Sequence, residues 1–174
     1  MKFDLDKSIQ ILERTPEILL TLLKDLPPDW IMANEGTVTW SPYDIAGHLI
    51  HGERTDWIDR LKIILSDSSD KSFSPFDRQA QISESKCKSM NDLLSEFKNL
   101  RLDNIKVLKE LDLKEEDFDK EGIHPEFGKV TLSQLLSTWV VHDLDHLAQI
   151  SRVMSYQYKD STGPWKKYLR ILNH

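Results

Sequence analysis

The chain has 174 residues, 23 Lys and Arg against 29 Asp and Glu, a net charge of −6, 39% hydrophobic residues, six His and one Cys. That length suits one domain with an ordinary core, so a single domain over residues 1–174 is expected. The acidic balance without basic runs argues against nucleic acid, and the lone Cys87 rules out a disulfide framework or a CxxC metal knuckle. The acidic opening and the lack of any apolar run of about 18 residues point to a cytoplasmic protein with no membrane partner.

Six Gly and seven Pro, with Leu and Ile leading the apolar set, predict helices joined by a few irregular loops. The first helical stretch covers about Leu5 to Leu26. Pro16 follows Thr15 like a first helical residue after its cap, so the stretch is either two abutting helices or one kinked helix. Pro27-Pro28 ends it. Asp29 to Trp40 is expected to be a loop, with room for short extended pieces around Thr37–Trp40. Ser41-Pro42-Tyr43-Asp44 supplies a cap, a first-position proline and an acid near the positive end of the dipole, which opens a second helix running to about Leu65.

A polar loop is expected from Ser66 to Arg78. The third helix, opening as early as Ser83, carries Met90, Leu93, Leu94, Phe97, Leu100, Val107, Leu108 and Leu111 on one face. Asp112 to Val130 reads as an acidic loop with a turn at His124-Pro125-Glu126-Phe127-Gly128. Thr131 and Gln134 form a capping-box pair that opens the fourth helix, which continues to about Tyr156. The tail is expected to dock as a short extra segment through Trp165, Tyr168, Leu169 and Ile171. The fold class is therefore all-α, a bundle of four helical stretches with irregular loops and a short C-terminal docking segment.

His142 and His146 lie four residues apart on the fourth helix, about 40° apart around its axis. Leu135, Trp139, Ile150 and Val153 share their side of the wheel, so both imidazoles point inward. Unpaired buried polar groups are costly. A divalent ion satisfies both rings at once. The other arrangement hydrogen-bonds one ring inside and lets the other meet solvent. No Glu follows His142, so the zinc-protease pattern H-E-x-x-H is absent. On the second helix, His48 shares a side with Ile45, Gly52, Thr55 and Asp59, while Ala46, Ile50, Trp57, Leu61 and Ile64 lie roughly opposite. His51 sits about 60° from His48. Small residues beside His48 suit a cavity wall and equally a polar surface, with a slight preference for His48 over His51.

The chain resembles the DinB-like superfamily of metal-binding up-and-down four-helix proteins, which includes thiol-dependent S-transferases and mycothiol-dependent maleylpyruvate isomerase. The resemblance rests on His48-Leu49 after Trp40-Ser41-Pro42, on the run Trp139 to Ile150 containing His142-Asp143-Leu144-Asp145-His146, on His124-Pro125-Glu126-Phe127-Gly128, and on Gly163-Pro164-Trp165. It implies that His48, His142 and His146 grip a divalent metal, commonly Ni or Zn, with His51 outside the pattern. Three neutral His leave coordination positions open, as catalytic sites do.

The expected function is a metal-dependent enzyme that activates water or a low-molecular-weight thiol for hydrolysis or S-transfer to a small-molecule electrophile. The alternative is a non-catalytic, stress-associated metal- or ligand-binding bundle, with a homodimer as one form of it. No catalytic residue is assigned. Asp145, Thr138 and Gln149 are the candidates for holding a ligand imidazole from behind, Asp145 first. His124 and Glu126 are read as turn residues that also lie where they can cap a pocket mouth. Cys87, between Lys86 and Lys88, is read as an ordinary thiol, so any thiol reagent comes from solution. His174 is chain-terminal.

Overall fold

The computed structural model describes residues 2–173, so His174 lies outside the described residues. The first stretch is two abutting helices, α1 (Leu5–Leu12) and α2 (Thr15–Leu23), with Asp4 capping α1 by accepting from Lys7 N at 3.0 Å. The expected loop after Pro27 contains one helical turn, α3 (Pro28–Ile31), set by a proline in its first turn. Thr37–Trp40 forms no strand.

Ser41 and Asp44 close a reciprocal capping box at the start of α4 (Pro42–Thr55). The expected single second helix breaks at Asp56 (φ −116°, ψ −70°) and resumes as α5 (Trp57–Leu65). Thr55 Oγ1 donates to His51 O at 2.8 Å just before the break, a back-bond that bends helices. A short α6 (Ala80–Glu84) packs on α4. Cys87 then adopts φ +67°, which stops any continuous helix from Ser83, and α7 (Met90–Glu110) starts only at the Ser89–Asp92 capping box.

The segment read as an acidic loop folds instead as a 3-10 turn (Glu115–Asp119) and a hairpin of β1 (Glu121–His124) and β2 (Gly128–Thr131). The strands are antiparallel, with Glu121 opposite Thr131 and His124 opposite Gly128, and Ser72 adds a parallel bridge to Ile123. Four-residue strands are too short to show an alternating pattern, and only the turn itself, with Gly128 at φ +71°, was legible. The last helix, α8 (Leu132–Tyr156), starts at the expected Thr131–Gln134 box. Of the expected docking residues, Trp165 and Tyr168 are exposed at 69% and 73%, and the tail rests on α8 through the 3-10 turn Arg170–Leu172.

The molecule is the four-helix bundle expected, but not in the up-and-down order: its helices run up, down, down, up, because the crossover after α5 brings the next helix back parallel to it. In turn α8 runs antiparallel to α4, with His48 meeting His142 and Glu53 meeting Trp139. Lys109 pairs with Glu13, Lys98 with Glu17 and Asn91 with Asp25, so α7 runs antiparallel to α1–α2. Tyr43 reaches Ser85 and Lys88, while Glu53 reaches Arg101 and Asn104, so α4–α5 and α7 run parallel. Residues 66–89 are the crossover this requires, and Phe73 buries within it against Ile64 and Gly122. Two apolar layers fill the bundle. One gathers Leu12, Trp57, Leu61, Leu108, Leu136 and Trp139, the other Leu19, Leu23, Ile45, Leu49, Leu93, Phe97 and Ile150.

Between the layers lies a buried charge cluster. Arg101, 1% exposed, donates to Asp143 Oδ2 (2.6 Å) and Oδ1 (2.9 Å), to Glu53 Oε1 (2.8 Å) and to Leu12 O (2.9 Å). Trp139 Nε1 also donates to Glu53 Oε1, at 3.0 Å. This cluster ties α1, α4, α7 and α8 together at one level, directly beside the histidines.

Candidate metal centre

His48 is carried by α4, and His142 and His146 by α8, where the i,i+4 spacing stacks them on one face. Their Nε2 atoms converge: His48 to His142 at 3.1 Å and His142 to His146 at 3.1 Å. All three offer a ligand atom within 4.8 Å of the others. Hydrogen bonds alone cannot satisfy the group, because the single Nε2 of His142 faces two other ring nitrogens and holds either one proton or one lone pair. Nitrogens bound to one ion at about 2.0–2.1 Å stand about 3.0–3.4 Å apart, which matches the spacing found. The donor set therefore fits a divalent ion.

Burial keeps these rings neutral, the form that coordinates. It pushes His48 and His142 down to about 3, helped in each case by the charge of His146. His146 is lowered too, again chiefly by burial. His146 Nδ1 is held by Gln149 Oε1 at 2.8 Å, which fixes the proton there and frees Nε2. Gln149, rather than the favoured Asp145, is thus the residue behind a triad imidazole. Thr138 spends its hydroxyl on Gln134 O. The Nδ1 atoms of His48 and His142 are buried without a partner among the described residues. Aromatic rings hold these two instead: Trp40 lies 4.7 Å from His48, and Trp57 meets His142 edge-on at 5.2 Å.

His51 is as buried as His48, at 6% exposed, but turns away to Glu84 Oε1 at 3.1 Å. Cys87 is exposed and lies outside the cavity that the triad opens into. That cavity measures about 590 Å³, within the range of small-molecule sites. Trp40, Trp57, Phe73, Phe76 and Phe127 supply apolar wall, while Asp56, Arg60, Arg78, His124 and Asp145 supply charge and hydrogen bonds. His124 is both things the sequence left open: its Nδ1 accepts from Glu126 N and Phe127 N in the turn, and its ring lines the cavity.

Several residues of this site and of the charge cluster beside it escaped the sequence reading, Phe73, Phe76 and Arg78 among them. Asp56 and Arg60 sit at the helix break, which no spacing announced. Asp143 and Arg101 had a visible signal, a charge at a four-residue step within an apolar stripe: Trp139–Asp143–His146–Ile150 and Phe97–Arg101–Ile105.

Residues 11–150 match the family model of the DinB superfamily, and the chain belongs to that superfamily. It is also similar in structure to YfiT from Bacillus subtilis, described as a probable metal-dependent hydrolase with an unusual four-helix bundle topology. The TM-score is 0.73 at 20% identity, over 90% of this chain and 87% of that one. No curated protein matches. Among the described residues, no helix is long and apolar enough to cross a membrane.

Proposed function

We propose that the protein is a metal-dependent enzyme in which His48, His142 and His146 hold a divalent ion, Zn or Ni, at the floor of the cavity. Its reaction is hydrolysis of a small electrophile or transfer of a low-molecular-weight thiol to it. The observation that carries this reading is the convergence of three neutral Nε2 atoms, two pairs 3.1 Å apart, on a cavity wide enough for a small molecule. When bound, such an ion supplies Lewis acidity and lowers the pKa of a water or thiol that enters its coordination shell. The description of YfiT as a probable metal-dependent hydrolase supports the hydrolytic branch.

The chain's own residues do the rest. Trp40 and Trp57 shield the imidazoles from bulk water, and Gln149 orients His146. With no internal Cys in the cavity, a thiol nucleophile has to be a second substrate. Metal analysis of protein purified without chelator or His tag is expected to give about one equivalent of divalent ion per chain. Less than a tenth of an equivalent, unchanged in the triple His→Ala variant, would leave the non-catalytic bundle as the correct reading.

A further inference from the structure

On the wall of the cavity that the histidines also line, one cation is built in without a full set of partners. Arg60 is 8% exposed and lines the cavity wall, with its Nε 2.5 Å from Asp56 Oδ1. Its Nη1 and Nη2 make no hydrogen bond among the described residues, no carboxylate among them but that of Asp56 pairs with the guanidinium, and neither nitrogen is fully buried. The guanidinium is held in place by the Phe73 ring, 5.2 Å from its Cζ. His124 meets the same ring edge-on at 6.4 Å. Because the Nδ1 of His124 accepts two backbone N–H groups, its proton sits on Nε2 as a fixed donor. Arg78 lines the cavity as well.

A buried guanidinium whose Nη1 and Nη2 form one free end-on edge is the arrangement that recognises a planar oxyanion bidentately. The geometry points to a carboxylate-binding subsite made by Arg60 with His124 Nε2–H, so that the substrate of this cavity is a small organic acid with an apolar body. The inference rests on the cavity being a substrate site, as proposed above, and not on the ion. A carboxylate is favoured over a phosphate because Asp56 offsets much of the Arg60 charge and the one free end-on edge of the guanidinium matches the two oxygens of a carboxylate. The apolar body follows from Phe73, Phe127 and Trp57, which line the same cavity.

The test is isothermal titration of the metal-loaded protein with phenylbutyrate, its primary amide and phenyl phosphate. Phenylbutyrate is expected to bind about tenfold or more tighter than the amide, and tighter than phenyl phosphate. Arg60→Gln should remove that difference and Arg60→Lys should keep only part of it. Asp56→Asn should tighten phenylbutyrate severalfold, a gain of binding that damage to the fold cannot imitate. His142→Ala removes the proposed ion ligand and should leave the acid-over-amide preference in place, so that failure of the metal reading and failure of this one are separately visible.

Equal binding of acid and amide, no binding of either, a preference for the phosphate, or a preference abolished by His142→Ala and untouched by Arg60→Gln would each overturn the assignment.

Discussion

Replacing Arg101 with Met tests how the charge cluster holds the bundle at the level of the histidines. The substitution removes four hydrogen bonds of 2.6–2.9 Å from a side chain that is 1% exposed. Asp143, fully buried, loses the donors to both its oxygens, whereas Glu53 keeps Trp139 Nε1 at 3.0 Å and Asn104 Nδ2 at 3.0 Å. Breaking a buried pair in this way costs about 3–5 kcal/mol, and the stranded Asp143 places the cost toward the upper end. Domains of this kind are stable by about 5–15 kcal/mol, so the variant should lose a large fraction of its stability. In urea, with a slope of about 2 kcal/mol per molar, the midpoint should fall by about 2 M. R101M/D143N should recover part of the loss, because the amide takes away the uncompensated charge and keeps the shape. A cost below about 1 kcal/mol for R101M, or a further loss on adding D143N, would refute the account of the cluster as one unit held by the Arg101 charge.

Other expectations concern the site. His142→Ala or His146→Ala should abolish stoichiometric metal binding by elemental analysis, whereas His51→Ala should leave it, because His51 is committed to Glu84. Gln149→Leu should weaken metal affinity about 10-fold or more in a chelator competition, since it frees the His146 ring to turn. Asp56 is pushed up from 3.8 to about 6 by burial, against the lowering influence of Arg60. Between those values the folded form keeps a proton that the unfolded form has released, so stability contributed at low pH is lost as pH rises through about 6. The unfolding free energy of wild type relative to that of D56N should therefore fall by about 2 kcal/mol from pH 4 to pH 7, and a flat difference would contradict the shift. Gly122→Ala should cost about 1–3 kcal/mol in thermal unfolding, because its Cβ would run into the Phe73 ring and Ile64.

What could be read from the sequence was local. Ser41-Pro42 and Thr131–Gln134 named their helix starts because capping is decided within four residues. The 3.6-residue period put His142 and His146 on one inward face. The wheel gave His48 only a modest edge over His51, because α4 is packed by α6, α7 and α8 and buries both rings, which leaves little surface to reason from. Their fates are decided by Glu84 on α6, which captures His51, and by α8, which meets His48. Gln149 displaced Asp145 as the His146 partner for a similar reason. Both lie near that ring in sequence, and only the packed helix shows which reaches Nδ1. Arg60 required the break at Asp56, a feature of packing with no composition of its own.

The crossover of residues 66–89 has a temporal side. It lets α7 return parallel to α4, so the surface that α8 must fill is completed before α8 is made. His48 leaves the ribosome 94 residues ahead of His142, its nearest partner in the triad. Until the last helix emerges, a growing chain thus carries only one of the three imidazoles of the triad. On the proposed function, an ion would close the triad only after the bundle has closed around α8, and its capture would mark a finished molecule.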